Sequence, residues 1–453
     1  MPTKKTAEIK PEVSGSAIFN AVKNELGATL KDVPYMTADN TREIYGFFSN
    51  YPLLYNTFVN ALVNKIGKTI LTSRLYTNPM SVFIKGEVGL GETIEDIFIS
   101  LQEPHVYDMQ YAQKNVDYYE KPDIKVAYYI MNSQLYYKVT RSPAQIKEAF
   151  RSEDDFRAFL EAIVTALYTS AYYDEFNIMK YMIAVQALKG NIGVVTISDS
   201  ATAEEQMEVI KATSNSLQFM NTENNYAGVP NYSDVSSQYL ILTSDFEAKM
   251  SVQVLANAFN LSYADYVGSR VMVDSFANLP MTRIRKMFTS AEGVLDPNFY
   301  DITVSDLEQL SQIKGLMVDI NYFQIYYDLF SMYARENEEG LFTNYWLHKW
   351  TYYAVSPFAP ARLFTSGTPT LTALTVSPPT YQSYPGNRVA FSVTAEGNGF
   401  ASAKVNWSCT EGAEITDSGL LMIQPDATGT ITVTAASVEN PSITSTAAVT
   451  ILK

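Results

Sequence analysis

The sequence predicts an α+β body over residues 1–367 followed by a small all-β sandwich over 368–453. Three observations carry this. A helical pattern runs unbroken through 153–189, β-prone segments broken by Gly and Pro precede it, and the composition changes sharply at Ser366-Gly-Thr-Pro369. At 453 residues the chain exceeds one ordinary core, and 47% apolar with 18% charged residues is a folding composition.

Residues 1–45 read as an arm with one short helix near 17–26, because Lys, Glu, Pro and Thr alternate with short apolar clusters. Phe58, Leu62 and Ile66 then have helical spacing between 51 and 70. From about 75 to 139 the pieces 81–84, 94–101, 126–131 and 134–139 are β-prone, so this stretch is an extended β excursion with its own turns. Ser152 with Asp155 three residues on is a helix start signal, Asp standing where Glu is usual. Phe156, Phe159, Leu160, Ile163, Val164 and Leu167 recur at three and four, and the pattern continues through Phe176, Met179 and Ile183 until Gly190.

The stretch after this helix alternates in type. Segment 239–242 reads as a buried strand, and Ser244 with Glu247 as a capping box before Met250, Val254, Leu255 and Ala258. Segments 271–273 and 316–318 read as further strands. Two aromatic β-prone runs, 322–330 and 342–355, are joined by a polar turn at 335–340. Beyond 368, Val389, Phe391, Val393 and Ala395 alternate, as do Val405 with Trp407, and Ile431, Val433 and Ala435; this is the period of sandwich strands.

The formal net charge of −15 and pI of about 4.7 give a field that repels polyphosphate, and the longest basic run is Lys4-Lys5. Sequence-specific nucleic-acid binding is therefore not expected. Cys409 is the single cysteine, so no intrachain disulfide can form, which fits a reducing compartment. The start carries charge without an apolar core, and no stretch reaches the roughly 18 apolar residues of a bilayer span. The expectation is a cytoplasmic protein without membrane segments. The 32 tyrosines and 23 phenylalanines supply either an aromatic core or a surface rich in contacts.

Candidate chemistry is thin. Zinc needs more ligands than His105, His348 and Cys409 provide, and Cys409 beside Trp407 reads as a small buried hydrophobe. Gly67-Lys68-Thr69 ends like a phosphate loop, but Leu62 stands where its first glycine belongs. Gly89-Leu-Gly91 is a fragment of a dinucleotide fingerprint and suits a flexible turn. Asp174-Glu175 and Glu153-Asp154-Asp155 are expected on a solvated helix face. No catalytic residue, metal ligand or cofactor is assigned.

Several stretches together resemble the major capsid proteins of the phi-twenty-nine group of small podoviruses. They are 85–98 with its Gly, Leu-Gly and Thr-Ile-Glu order, 159–180, 254–260, and Gly-Leu-Phe-Thr-Asn-Tyr-Trp-Leu-His-Lys-Trp at 340–350. The resemblance implies the Hong Kong 97 capsid fold: an N-arm at 1–45, an extended loop at 74–137, a peripheral domain carrying a spine helix at 153–189, and an axial domain within 190–340. Residues 376–378, 385–386, 405–407, 417–420, 429–433 and 448–451 resemble a bacterial immunoglobulin-like group 2 module.

The implied function is structural: pentamers and hexamers of one chain form an icosahedral or elongated head around double-stranded DNA, with a scaffolding protein and a portal as partners. The implied intersubunit contacts are polar at Lys85, Glu87, Glu92 and Glu95, apolar at Phe83, Ile94 and Phe98, with Gly86, Gly89 and Gly91 giving the loop its bends. A surface adhesin with an immunoglobulin-like module, or a carbohydrate-active enzyme with an accessory sandwich, are the other readings.

Overall fold

The chain opens on two short helices, α1 (Gly15–Leu26) and α2 (Thr41–Asn50). Ile18, Phe19, Val22, Ile44 and Phe48 are buried in the chain's own core rather than trailing from it. The structure is a computed structural model and describes residues 15–51, 76–89, 93–102, 104–106, 124–142, 151–257, 269–337 and 342–452, with positions 54, 57, 58, 61, 109, 339 and 340. The helix expected between 51 and 70 falls mostly outside these residues, as does Gly67-Lys68-Thr69.

The extended excursion begins with a 3-10 turn at Ser81–Phe83, where a strand was expected, because the Asn78 side chain accepts from Met80 N and folds the chain back. Strand β1 (Ile84–Glu87) follows. Then come β2 (Ile94–Ile99) and β3 (Ile124–Tyr129), paired antiparallel as a separate ribbon, and β4 (Ser133–Arg141).

Helix α3 runs Glu153–Leu188, 36 residues or about 54 Å at 1.5 Å per residue. Ser152 Oγ accepts from Asp155 N at 3.1 Å, satisfying one orphan donor at its start. It ends in a Schellman pattern: Gly190 has φ 67°, Gly190 N donates to Ala187 O and Asn191 N to Gln186 O. Ile163, Leu167, Met179 and Ile183 are buried as the spacing predicts, while the side chains of Phe156, Leu160 and Val164 lie outside the described ones.

The remaining body elements are β5 (Gly193–Thr196), α4 (Ala203–Leu217), β6 (Gln238–Thr243), α5 (Ser244–Asn257), β7 (Ser269–Val273), α6 (Met281–Met287), α7 (Val304–Leu310), β8 (Ile313–Asp319), β9 (Phe323–Asn337), β10 (Phe342–Val355) and β11 (Ala361–Thr365). Strand β9 extends through Asn337, so the expected turn at 335–340 is shorter than its polar composition suggested. Ser244 opens α5, and its hydroxyl donates to Asp274 O.

Two sheets flank α3. The first, ordered β1-β9-β10-β4, packs on its first half with α1 and α2. The second, ordered β5-β11-β8-β6-β7, is covered on both faces: the second half of α3 and α6 on one, α4 and α5 on the other. Every residue of β8 is buried, which accounts for the apolar segment 316–318 read as a strand.

Between these cores the structure corrects the sequence reading of Asp174 and Glu175. Both are buried, not solvated. Glu175 accepts from Asn78 Nδ2 at 2.7 Å, Tyr327 OH at 2.6 Å and Lys349 Nζ, and the Glu175 and Lys349 side chains are 0% and 2% exposed. Asp174 accepts from Tyr137 OH at 2.9 Å and from both Arg283 Nη2, at 3.0 Å, and Arg283 Nε. Five residues after Glu175, Lys180 Nζ donates to Asp274 Oδ1 at 2.7 Å and Asn278 O at 2.8 Å. Burial first, then the adjacent carboxylates, push the Tyr137 and Tyr327 phenols far above their ordinary range, so both remain donors. Burial lowers Lys349, with Glu175 opposing the shift.

Strands β12 (Thr370–Ser377), β13 (Thr380–Ser383), β14 (Arg388–Ala390), β15 (Ser392–Asn398), β16 (Val405–Cys409), β17 (Ala413–Ile415), β18 (Leu420–Ile423), β19 (Thr430–Ser437) and β20 (Thr444–Ile451) complete the chain. They form sheets β12-β15, β13-β20-β19-β16 and β14-β18-β17 around one core that includes Val376, Val389, Leu421, Val433 and Val449. The alternating run 389–395 is not one strand: it breaks at Phe391, whose N–H donates to Gly419 O, and its halves join different sheets.

Removing one partner of a buried pair strands the other charge, so Glu175→Gln or Lys349→Met alone should cost about 3–5 kcal/mol in urea unfolding. The double variant should recover much of that loss; two single losses that simply add would deny the coupling.

Candidate functional site

Three structural facts converge on the ribbon. Its register pairs Ile94 with Tyr129, Asp96 with Ala127 and Phe98 with Lys125 on one face, and Glu95 with Tyr128, Ile97 with Val126 and Ile99 with Ile124 on the other. The first face is latched to the body. Asp96 Oδ2 accepts from Tyr129 OH at 3.0 Å and Ser356 Oγ at 2.5 Å, and Phe98 stacks on Phe358 with centroids 5.8 Å apart. Asn132 clamps the entry to β4 by bonding both Tyr353 O and Tyr353 N.

The second face is bare. Ile97 is 55% and Tyr128 63% exposed, and Ile99, Ile124 and Val126 stand open beside them. An apolar ladder facing water is unusual on a chain this acidic, since single exposed apolar residues are common but contiguous ones are not.

Where the ribbon meets the body, a cavity of about 400 Å³ is lined by Lys85, Ile94, Glu95, Asp96, Phe98, Asn321 and Ser356, among others. Lys85 Nζ donates to Asn321 Oδ1 at 2.9 Å. Partial desolvation lowers Lys85, while Asp96 and Asp319 hold it up. Asp319 is itself occupied, accepting from Ser233 Oγ and Asn321 N. Asp96 and Asp319 are thus both engaged with groups of their own chain. Among the described residues no group of three or more His, Cys, Asp or Glu could hold a metal ion. No described helix is long and apolar enough to cross a membrane.

The structure thus gathers Lys85, Ile94, Glu95 and Phe98 at one place. It moves Phe83 out of the proposed contact set: its ring is fully buried, 5.2 Å from Tyr239 and 4.8 Å from Phe323, and belongs to the chain's own core. Ile94 and Phe98 face inward, so the outward apolar residues of the ribbon are Ile97, Ile99, Ile124, Val126 and Tyr128, which the sequence reading did not single out. Gly86 lies at a register shift in β1 with φ 125° and open space around it, so its backbone, not crowding, requires glycine. Glu87 and Gly89 are exposed, and Gly91 and Glu92 lie outside the described residues.

Residues 17–365 match the family described as Phi29-like phage major capsid protein. This chain belongs to that family. It is 30% identical over 429 residues to the major capsid protein of Bacillus phage PZA, covering 92% of this chain and 89% of that one. It is 31% identical over 357 residues to that of Bacillus phage GA-1, covering 77% and 68% respectively. A solved capsid structure of Staphylococcus phage Andhra shares the fold at TM-score 0.50 and 16% identity, over 67% of this chain and 88% of that one. Members of the capsid protein family are structural proteins rather than enzymes.

If the Asp96 latch holds the ribbon down, Asp96→Ala should speed amide exchange in β2 and β3 by about tenfold or more while barely moving global unfolding. Unchanged exchange there would show that the latch does not hold.

Proposed function

We propose that this chain is the major capsid protein that builds a small phage head, and that the outer face of the β2–β3 ribbon is where one copy meets the next. Family membership carries the first part, and the bare ladder of Ile97, Ile99, Val126 and Tyr128 carries the second. Among the described residues the ribbon's two strands pair with each other, and its open face is free to rest on a different surface of a neighbouring copy. Such heterologous contacts close into rings, here pentamers and hexamers of an icosahedral or elongated head.

In this reading the body has the Hong Kong 97 organisation: an arm at 1–45, the extended loop at 74–137, a peripheral domain around the helix at 153–189, and an axial domain within 190–340. Support comes from the order of elements: the ribbon, latched to Ser356 and Phe358 on the β10–β11 connection, then α3, which packs with the β1-β9-β10-β4 sheet along its first half and with the five-stranded sheet along its second. Residues 368–453 are an immunoglobulin-like group 2 domain, a reading supported by their separate core and by Trp407 packed near Phe391.

The partners are further copies, a scaffolding protein and a portal, in the host cytoplasm, with double-stranded DNA enclosed and not read. The charge of −15 suits a wall along which packed phosphate slides.

Ile97→Lys with Val126→Lys, or charge reversal at Glu92 and Glu95, should block closed shells when the chain is co-expressed with its scaffolding protein. The subunit should stay folded by circular dichroism. Uniform particles from either variant in sedimentation and negative-stain microscopy would rule the ribbon out as the contact.

A further inference from the structure

The C-terminal strands meet the body along a seam built from four segments. Phe400 is 3% exposed, and its ring joins the body core with Ile192 and Leu363 rather than the core of its own strands. It is the one non-glycine among the described residues with positive φ, 65°, and it follows Gly399 at 67°. Two successive left-handed residues turn the ring inward.

The same loop sits on the end of α3. Ala403 N donates to Gly190 O at 3.3 Å, and a Cβ on Gly190 would collide with the Ala401 carbonyl oxygen and come within 2.8 Å of Ala403 N. Lys404 Nζ then reaches the Glu223 carbonyl at 3.0 Å and the Thr222 carbonyl at 3.4 Å. On the body side Arg362 of β11 donates to Asn224 Oδ1 at 2.9 Å, holding that loop in place. The connection is held as well, since Ser366 N donates to Gln312 O at 3.1 Å.

We infer that the C-terminal β region is a rigid brace clamped to the end of the long helix, with Phe400 as the plug that completes the body core. It does not swing on a tether. Any tilt of the C-terminal end of α3 carries these strands with it, so their outer surface keeps a fixed orientation on the body.

Cleavage of the full-length protein by thermolysin within 366–371, with amide exchange over 399–404, tests this. Phe400→Ala and Gly190→Ala should each raise both by about tenfold or more. Gly293→Ala is the control: its φ of 84° is also left-handed, a Cβ there meets nothing within 4 Å, and its turn between Thr289 and Leu295 gives the seam no residue. It carries backbone strain away from the seam and should behave as the parent. Lys404→Met, at a half-buried position, should give a smaller rise and serves if Phe400→Ala fails to fold. A Gly190→Ala protein indistinguishable from Gly293→Ala, or a Lys404→Met protein as resistant as the parent, would overturn the brace.

Discussion

Glu175 holds the body together at its weakest place. Helix α3 belongs to two hydrophobic cores: its residues up to Ala171 pack with α1, α2 and the four-stranded sheet, and those from Phe176 pack against the five-stranded sheet. Asp174 and Glu175 fill the interval. Between them they bind Asn78 ahead of β1, Tyr137 of β4, Tyr327 of β9, Lys349 of β10 and Arg283 of α6. Apolar contact alone would let the helix slide between the cores. Five directed hydrogen-bonding partners fix its register, and the desolvation of the charges is offset because each carboxylate is fully engaged.

That fixed register determines where the ribbon stands. Lys349 and Tyr327 orient β10 and β9, and Asn132 and Ser356 then anchor the ribbon's root to the end of β10. Asp96 turns one face of the ribbon inward, which leaves Ile97, Ile99, Val126 and Tyr128 outward by simple alternation. A surface of this kind is held rigid before any partner arrives, which lowers the ordering cost of association.

Much of the scaffold was legible because it follows local rules. Ser152, the three-and-four spacing from Phe159 to Ile183, and Gly190 define α3 to within a residue of its ends. The charged pair was not legible from its own segment, since neighbouring helix positions rarely both face inward. The signal lay far away: Lys349 is a lone cation in a strand of Trp, Leu and Tyr, and a buried lysine demands a buried acid. The ribbon's outward face was hidden for another reason. Ile97-Phe98-Ile99 has no polar alternation, so the sequence identifies apolar residues without saying which face they take. Tyrosine likewise served both ends it could serve, with Tyr137 and Tyr327 inside as donors and Tyr128, Tyr136 and Tyr333 outside.

The central claim is that the open face of the ribbon becomes an interface when the head forms. Cys409 is the only cysteine, so a Cys409→Ser, Ile97→Cys variant reports on that face alone. Maleimide labelling should be fast in the free subunit and slowed by about a hundredfold or more in assembled particles, as expected for a site closed off by a neighbour. Equal labelling rates in subunit and particle would contradict the account.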